Sequence, residues 1–164
     1  MIKIAVDAMG ATTHPRQSLL ELKQPVISMP IWNLICTAIR KKLKPLIKDQ
    51  TRLHLVKTTE EIEMGEEPVK AIRRKKDSSI VRAAQAVKEG QADAFFSAGN
   101  TGAILAAGLL IVGRIKGIDR PGLTSVLPIA EPGSSRHSFV YLDCGANAEA
   151  KERNLVQYAH LGRF

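Results

Sequence analysis

The junction Asp93-Ala-Phe-Phe-Ser-Ala-Gly-Asn-Thr-Gly-Ala103 constrains the fold most, because an apolar run breaks there into small polar residues and then turns helical. Ala92 to Phe96 reads as a buried strand. Gly99 lets the backbone turn or approach a ligand closely, and Asn100 or Thr101 caps a helix predicted to continue to about Ile115. Unpaired N–H groups at that helix start, with the hydroxyls of Ser97 and Thr101, suit a phosphate or a developing oxyanion. The same residues equally make a capped strand-to-helix turn with no ligand.

Similar punctuation recurs along the chain. Ile2 to Val6 reads as a short buried strand ending in the loop Asp7-Ala-Met-Gly10, and Leu53 to Val56 as a second strand. Pro68 fits the first turn of a basic helix, Val69 to Lys76. Asp77 or Ser78 caps a helix through Val87 with Ile80, Ala83, Ala84 and Val87 on one face, and Gly90 ends it. Leu123 to Ile129 and Ser138 to Leu142 read as strands whose short, turn-rich link predicts antiparallel pairing. Asp143-Cys-Gly-Ala-Asn147 is another strand-end loop, before a helix from about Ala150. Alternating strands and helices imply an α/β fold, a layered α/β/α sandwich with a mostly parallel sheet whose ligands sit at the carboxyl ends of the strands. The loops after Val6, Phe96 and Leu142 all lie at such ends.

With 164 residues, 45% of them hydrophobic, the chain can bury one sizeable core, as one domain or part of a larger one. Its net charge of +8 points to an acidic partner, an anionic substrate or a membrane surface. Aromatic residues make up only 4%, which argues against a stacking platform for nucleic acid. Cys36 and Cys144 give no disulfide framework, and no signal peptide opens the sequence, so the expected location is cytoplasmic. The apolar stretch from Ala103 to Gly113 is too short to span a bilayer. His14, His54, His137 and His160 have no metal-ligand spacing, and no metal or cofactor is expected.

Four segments in order carry a family resemblance: Ile4-Ala-Val-Asp-Ala-Met-Gly10, Glu67-Pro-Val-Lys-Ala-Ile-Arg-Arg-Lys-Lys-Asp-Ser-Ser79, Ser97-Ala-Gly-Asn-Thr-Gly102, and Leu142-Asp-Cys-Gly-Ala-Asn147 with Lys151. Together they resemble the PlsX family of phosphate acyltransferases over positions 1 to 10 and about 43 to 164. The family's chains are roughly twice as long, so the resemblance covers an N-terminal half. It implies a fold similar to phosphotransacetylases and isopropylmalate dehydrogenases. It also implies transfer of a fatty acyl group from acyl carrier protein to inorganic phosphate, giving acyl phosphate for phospholipid synthesis, by a homodimer loosely associated with the membrane.

Between Ala11 and about Arg40 the chain departs from that pattern. Where the family has Gly-Gly-Asp-His-Ala-Pro, this chain has Gly10-Ala-Thr-Thr-His-Pro15. In the neighbouring reading frame the same codons can spell Gly-Asp-His-Ala-Pro, and those of Ile35 to Ile39 can spell Leu-Tyr-Gly-Asp, a later signature of the family. A base lost near codon 10 and compensated near codon 40 accounts for both, and a divergent insert is the alternative. A shifted segment was never selected to pack, so residues 11–40 are expected to be poorly ordered or wrongly packed, with Trp32, Ile31 and Leu34 lacking an assured core position. Pro15, Pro25 and Pro30 break any long helix there. Cys36 would then be an accident of frame.

For acyl transfer, phosphate attacks a thioester carbonyl, charge grows on the carbonyl oxygen and a thiolate leaves. Phosphate is already anionic and nucleophilic, so positioning and electrostatics should dominate over a triad. The resemblance assigns Ser97, Gly99, Asn100, Thr101 and Gly102 to phosphate or oxyanion binding, with Asn147 donating an amide hydrogen bond and Lys151 a positive charge. Asp7 and Gly10, like Asp143 and Gly145, shape the neighbouring loops, the aspartates as organisers or simply as turn formers. The basic run Lys70, Arg73, Arg74, Lys75, Lys76 before Ser78 and Ser79 meets the acidic carrier protein or the phosphate, or is a solvated helix face. Ile104, Leu105, Leu109 and Val112 read as helix packing with a small contribution to an acyl groove. A non-catalytic fragment or pseudogene product is the main alternative, and the 164 residues alone are expected to be inactive. A nucleotide-binding module is disfavoured because no glycine-rich nucleotide motif occurs.

Overall fold

Four strands lie side by side in a fully parallel sheet: β1 (Ile2–Asp7), β2 (Trp32–Ala38), β3 (Leu53–Lys57) and β4 (Ala94–Ser97), in the order β3-β2-β1-β4. The computed structural model describes residues 2–9, 32–38, 52–130, 137–144, 147 and 149–163. Val6 pairs with Cys36 on one side and Phe96 on the other, so the carboxyl ends of β1, β2 and β4 come level. Side chains alternate across the sheet. Ala5, Ile35 and Phe95 face one side, while Val6 and Cys36 are buried with Leu53 and Leu55 in two other apolar clusters.

Pro68–Arg74 forms α1, and the Glu67 carboxylate caps it by accepting from the Val69 and Lys70 N–H groups at 3.1 and 3.0 Å. Ser79–Lys88 forms α2, whose small residues Ala83 and Ala86 sit against Ala5 and Ala92 of the sheet layer. Ser78 occupies its N-cap position, but its hydroxyl bonds back to the Lys75 carbonyl at 2.8 Å and does not cap α2. Thr37 of β2 ties sheet to helix, its Oγ1 lying 2.9 Å from the carbonyl oxygens of both Val6 and Ser79, which share its one hydroxyl hydrogen. Thr101–Ala107 forms α3, which runs into a π-helical turn, Gly108–Val112. Gly113, at φ 106°, stops it short of the expected end at Ile115, because that backbone conformation breaks the helical ladder.

Residues 114–164 make a second compact unit beside residues 1–113 in sequence. Here β5 (Thr124–Pro128) and β6 (Ser138–Leu142) pair antiparallel with Val126 opposite Val140, as their short link predicts. The unit's helix α4 (Glu152–Leu161) turns Asn154 and Tyr158 inward. Among the described residues no helix is long and apolar enough to cross a membrane.

The α/β class and the parallel sheet are as the alternating pattern predicts. One expectation is corrected. Trp32–Ala38, placed within a stretch expected to be poorly ordered or wrongly packed, forms an interior strand with Cys36, Thr37 and Ala38 buried. The reason is tertiary: β1 and β3 supply hydrogen-bonding edges on both sides, and Ile35 and Thr37 are compatible with a pleated strand whatever the origin of the codons. The remainder of residues 11–40 falls outside the described residues.

Candidate functional site

In the first unit the loops after β1 and β4 are joined by one carboxylate. Asp7, 6% exposed, accepts from the Met9 N–H at 3.0 Å through Oδ1 and from the Ser97 hydroxyl at 2.8 Å through Oδ2. Ser97 Oγ in turn accepts the Gly99 N–H at 3.1 Å. The only hydroxyl hydrogen of Ser97 is therefore directed at Asp7, and the buried negative charge beside it would repel a phosphate. This arrangement makes Asp7 an organiser of the loop and gives Ser97 an acceptor role.

Asn100 is the densest junction. Its Oδ1 accepts from the Ala103 N–H at 3.0 Å, capping α3, and its Nδ2 lies 3.2, 3.1 and 3.0 Å from the carbonyls of Glu63, Met64 and Glu66. Two amide hydrogens shared among three carbonyls leave no donor for a ligand. The side chain is 7% exposed. Thr101, by contrast, is exposed at the first position of α3, where backbone N–H groups precede the first intrahelical acceptor. Gly102 is needed for close packing: a Cβ there would lie 2.5 Å from Pro68 Cγ, so α3 could not approach α1.

The basic run divides in two. Lys75 Nζ donates to the Glu61 carbonyl at 2.8 Å and pairs with Glu66 Oε1 at 2.6 Å, which holds the Glu66 carboxyl below its ordinary range. Arg73, Arg74 and Lys76 are exposed. Ser78 and Ser79 are buried at 0% and 1%, beneath the surface that a macromolecular substrate would touch. A hollow lined by Lys3, Asn33, His54 and Gln91 lies at the opposite, amino-terminal edge of the sheet and gathers none of these groups.

The second unit holds its own polar cluster. Asn147 Nδ2 donates to the Pro121 carbonyl at 3.0 Å and Asp143 Oδ1 at 2.7 Å and lies 3.2 Å from the Tyr158 hydroxyl, while its Oδ1 accepts from Arg120 Nε at 2.7 Å. Arg120 also donates to the Glu149 carbonyl at 3.0 Å. Asp143 sits at φ 60°, in the left-handed region that aspartate tolerates at a turn. Burial, and then the Asp143 charge, push the Tyr158 hydroxyl's pKa up against the opposing effect of Arg120. Lys151 is exposed at the N-cap of α4, its N–H donating to Asn154 Oδ1 at 3.0 Å. Sequence reasoning missed Arg120 and Tyr158. Tyr158 shares a helix face with buried Asn154 four residues earlier, a readable signal, whereas Arg120 meets Asn147 across 27 residues with no local pattern. Gly10 and Gly145 lie outside the described residues.

The family model described as fatty acid synthesis protein matches residues 2–164. The chain belongs to this family. It is 68% identical over 163 residues to a phosphate acyltransferase of Limosilactobacillus reuteri, a match that covers 99% of this chain and 48% of the relative. Phosphate acyltransferases of Limosilactobacillus fermentum and Levilactobacillus brevis are 66% and 54% identical, each across 99% of this chain and 47% of their own length. The chain thus spans about half the length of the curated relatives it matches. The matches run through residues 11–40, and the resemblance to the PlsX phosphate acyltransferases holds for the N-terminal half of that family.

Proposed function

We propose that this chain forms the phosphate-binding half of an enzyme that transfers a fatty acyl group from acyl carrier protein to inorganic phosphate. The observation that carries the reading is its 68% identity, over nearly all its length, to a protein named phosphate acyltransferase. The start of α3, just after β4, supports it, since Thr101 is exposed there beside the first N–H groups of the helix. A phosphate oxygen attacks the thioester carbon, the carbonyl oxygen gains charge, and the carbon–sulfur bond breaks to release the carrier thiolate. Thr101 and the first N–H groups of α3 hold the phosphate, and Asn100 and Asp7 position that loop.

Arg73, Arg74 and Lys76 form the face that meets the acidic carrier protein. The active form is a homodimer working in the cytoplasm at the membrane surface, as the resemblance implies. Residues 11–40 carry a frame-shifted sequence in this reading, and the coding DNA around codons 8 to 42 tests it: stop codons or unrelated residues in the neighbouring frame would sink it.

The enzyme assay uses this chain continued by the second half of the Limosilactobacillus reuteri relative. Acyl phosphate should appear from acylated carrier protein and phosphate, and Thr101→Val should lower turnover at least tenfold with an unchanged melting point. Full activity in Thr101→Val would remove that residue from the site. A folded continuous chain with no activity would favour the non-catalytic reading.

A further inference from the structure

Beside α2 the parallel sheet holds a hollow that the strand-end loops do not use. The register sets Lys3 beside Asn33, Ile35 beside His54 and Thr37 beside Val56. Alternation puts all six on the side of the sheet where Ala83 and Ala86 of α2 pack against Ala5, the neighbour of Ile35. The helix packs on β1, β2 and β4, and β3 is the outermost strand, so Ile35 and Val56 stay half-buried beside it. Over Ile35, His54 and Val56 lies a hollow of about 500 Å³ with Lys3, Asn33 and Gln91 at its rim. A smaller one of about 110 Å³ shares Ile35, Val56 and Gln91 with it and reaches Thr37, Arg82 and Glu89.

We propose that this trough binds a small amphiphile with an aliphatic body and an anionic head. Its size falls in the range of small-molecule sites, about 300–1,000 Å³, and it has their make-up, an aliphatic floor with a few polar groups at the rim. Ile35 and Val56 take the body. The charges choose the head. Lys3 and Arg82 line the trough as cations, and its one lining carboxylate, Glu89, accepts from Gln91 Nε2 at 2.9 Å. Asp93, next to Lys3, accepts the Lys3 backbone N–H at 2.8 Å. Asp77 stands 3.6 Å from Arg82 Nε in a solvated pair, which an anion can displace at little cost. A second copy of this chain, with a net charge of +8, would bring like charge to Lys3 and Arg82. The larger hollow opens at the amino ends of the strands, whereas Asp7, Ser97 and Thr101 lie at or just past their carboxyl ends. The site therefore stands or falls independently of the acyl-transfer reading, and its test reads binding and not turnover.

Octyl phosphate and octanoate are titrated by calorimetry into the 164-residue chain, and into the same chain continued by the second half of the Limosilactobacillus reuteri relative. Nuclear magnetic resonance of the His54 ring reports the place of binding. At least one probe should bind saturably and shift the ring signals, and the tighter one identifies the head as phosphate or carboxylate. Octanol, which lacks the charge, and inorganic phosphate, which lacks the body, should each bind at least tenfold more weakly. Val56→Asp should weaken binding at least tenfold and Lys3→Gln at least threefold, while Lys116→Gln in the second unit should leave it unchanged. Lys3 is exposed, so its variant should fold and decides the matter if Val56→Asp does not. The proposal is overturned if octanol binds as tightly as the anions, or if Lys3→Gln keeps full affinity. It is also overturned if a chain folded by circular dichroism shows no saturable binding, or if it forms a dimer that covers His54 and excludes both probes.

Discussion

Ser97 donates its hydroxyl hydrogen to Asp7 at 2.8 Å, and this bond locks the ends of β1 and β4, which are 90 residues apart in sequence. Asp7→Ala strips an acceptor from both Ser97 and the Met9 N–H. The loss should be about 2 to 3 kcal/mol, the scale for orphaning buried donors. Urea unfolding of this variant beside Asp7→Asn, which keeps one acceptor, measures it. A change within about 0.5 kcal/mol would mean that the two loops hold together without the carboxylate.

Asn100 tests whether a cap or a ligand is at stake. Asn100→Ala removes the α3 cap and the tie to Glu63, Met64 and Glu66, for about 2 kcal/mol in total. Asn100→Asp keeps the capping acceptor but aims a carboxylate at those carbonyls, so it should also destabilise. In the continuous enzyme, activity per folded molecule should stay within a few-fold for Asn100→Ala. A fall of roughly 100-fold with normal stability would restore Asn100 as an oxyanion donor.

Reversing charge on the basic helix separates steering from structure. Arg73→Glu with Arg74→Glu should slow association with the acidic carrier protein, and the deficit should shrink with salt, since exposed charges are screened over about 10 Å at 0.1 M. Lys75→Met should instead lower stability, because Lys75 holds Glu66 and the Glu61 carbonyl. Stopped-flow rates unchanged at low salt would leave the run as a solvated face.

Cys36 is 1% exposed, and burial, with a smaller contribution from the Asp7 charge, pushes its thiol up to about 12. Native alkylation at pH 8 should therefore label Cys144 at least tenfold faster, read by mass spectrometry. The sign for stability follows from linkage. The folded thiol keeps its proton to a higher pH than the unfolded one, so this contribution is intact below pH 9 and declines between pH 9 and about 12. Glu66 acts oppositely, its contribution lost as pH falls below the ordinary carboxylate range. Cys36→Ala should flatten the alkaline limb, and an unchanged limb would assign it to other groups.

Thr58 is buried at 1% exposure, and among the described residues its Oγ1 has no hydrogen-bond partner. Replacing the hydroxyl with a methyl group of nearly equal size in Thr58→Val should stabilise the chain by about 1 kcal/mol. A destabilised variant would reveal that the hydroxyl has a polar partner in solution.

Local chemistry made much of this protein legible in its sequence. Pro68, Asn100 and Gly90 mark helix boundaries through their own backbone preferences, and Ile2 to Val6 and Ala92 to Phe96 announce strands within a residue or two of their observed limits, but the second is not buried as expected: β4 ends the four-stranded sheet and leaves Phe96 50% exposed. The four spaced motifs were enough to indicate the family. Tertiary structure decided the rest, because it depends on contacts between distant segments. Asn100 and Ser97 look like ligand donors in a linear motif, yet Glu63–Glu66 and Asp7 already take their hydrogens. Lys75 looks like its neighbours Arg74 and Lys76, but only its ammonium is drawn onto Glu66. Trp32–Ala38 became a strand because β1 and β3 supply hydrogen-bonding edges on both sides, a gain that no reading of those seven residues alone contains.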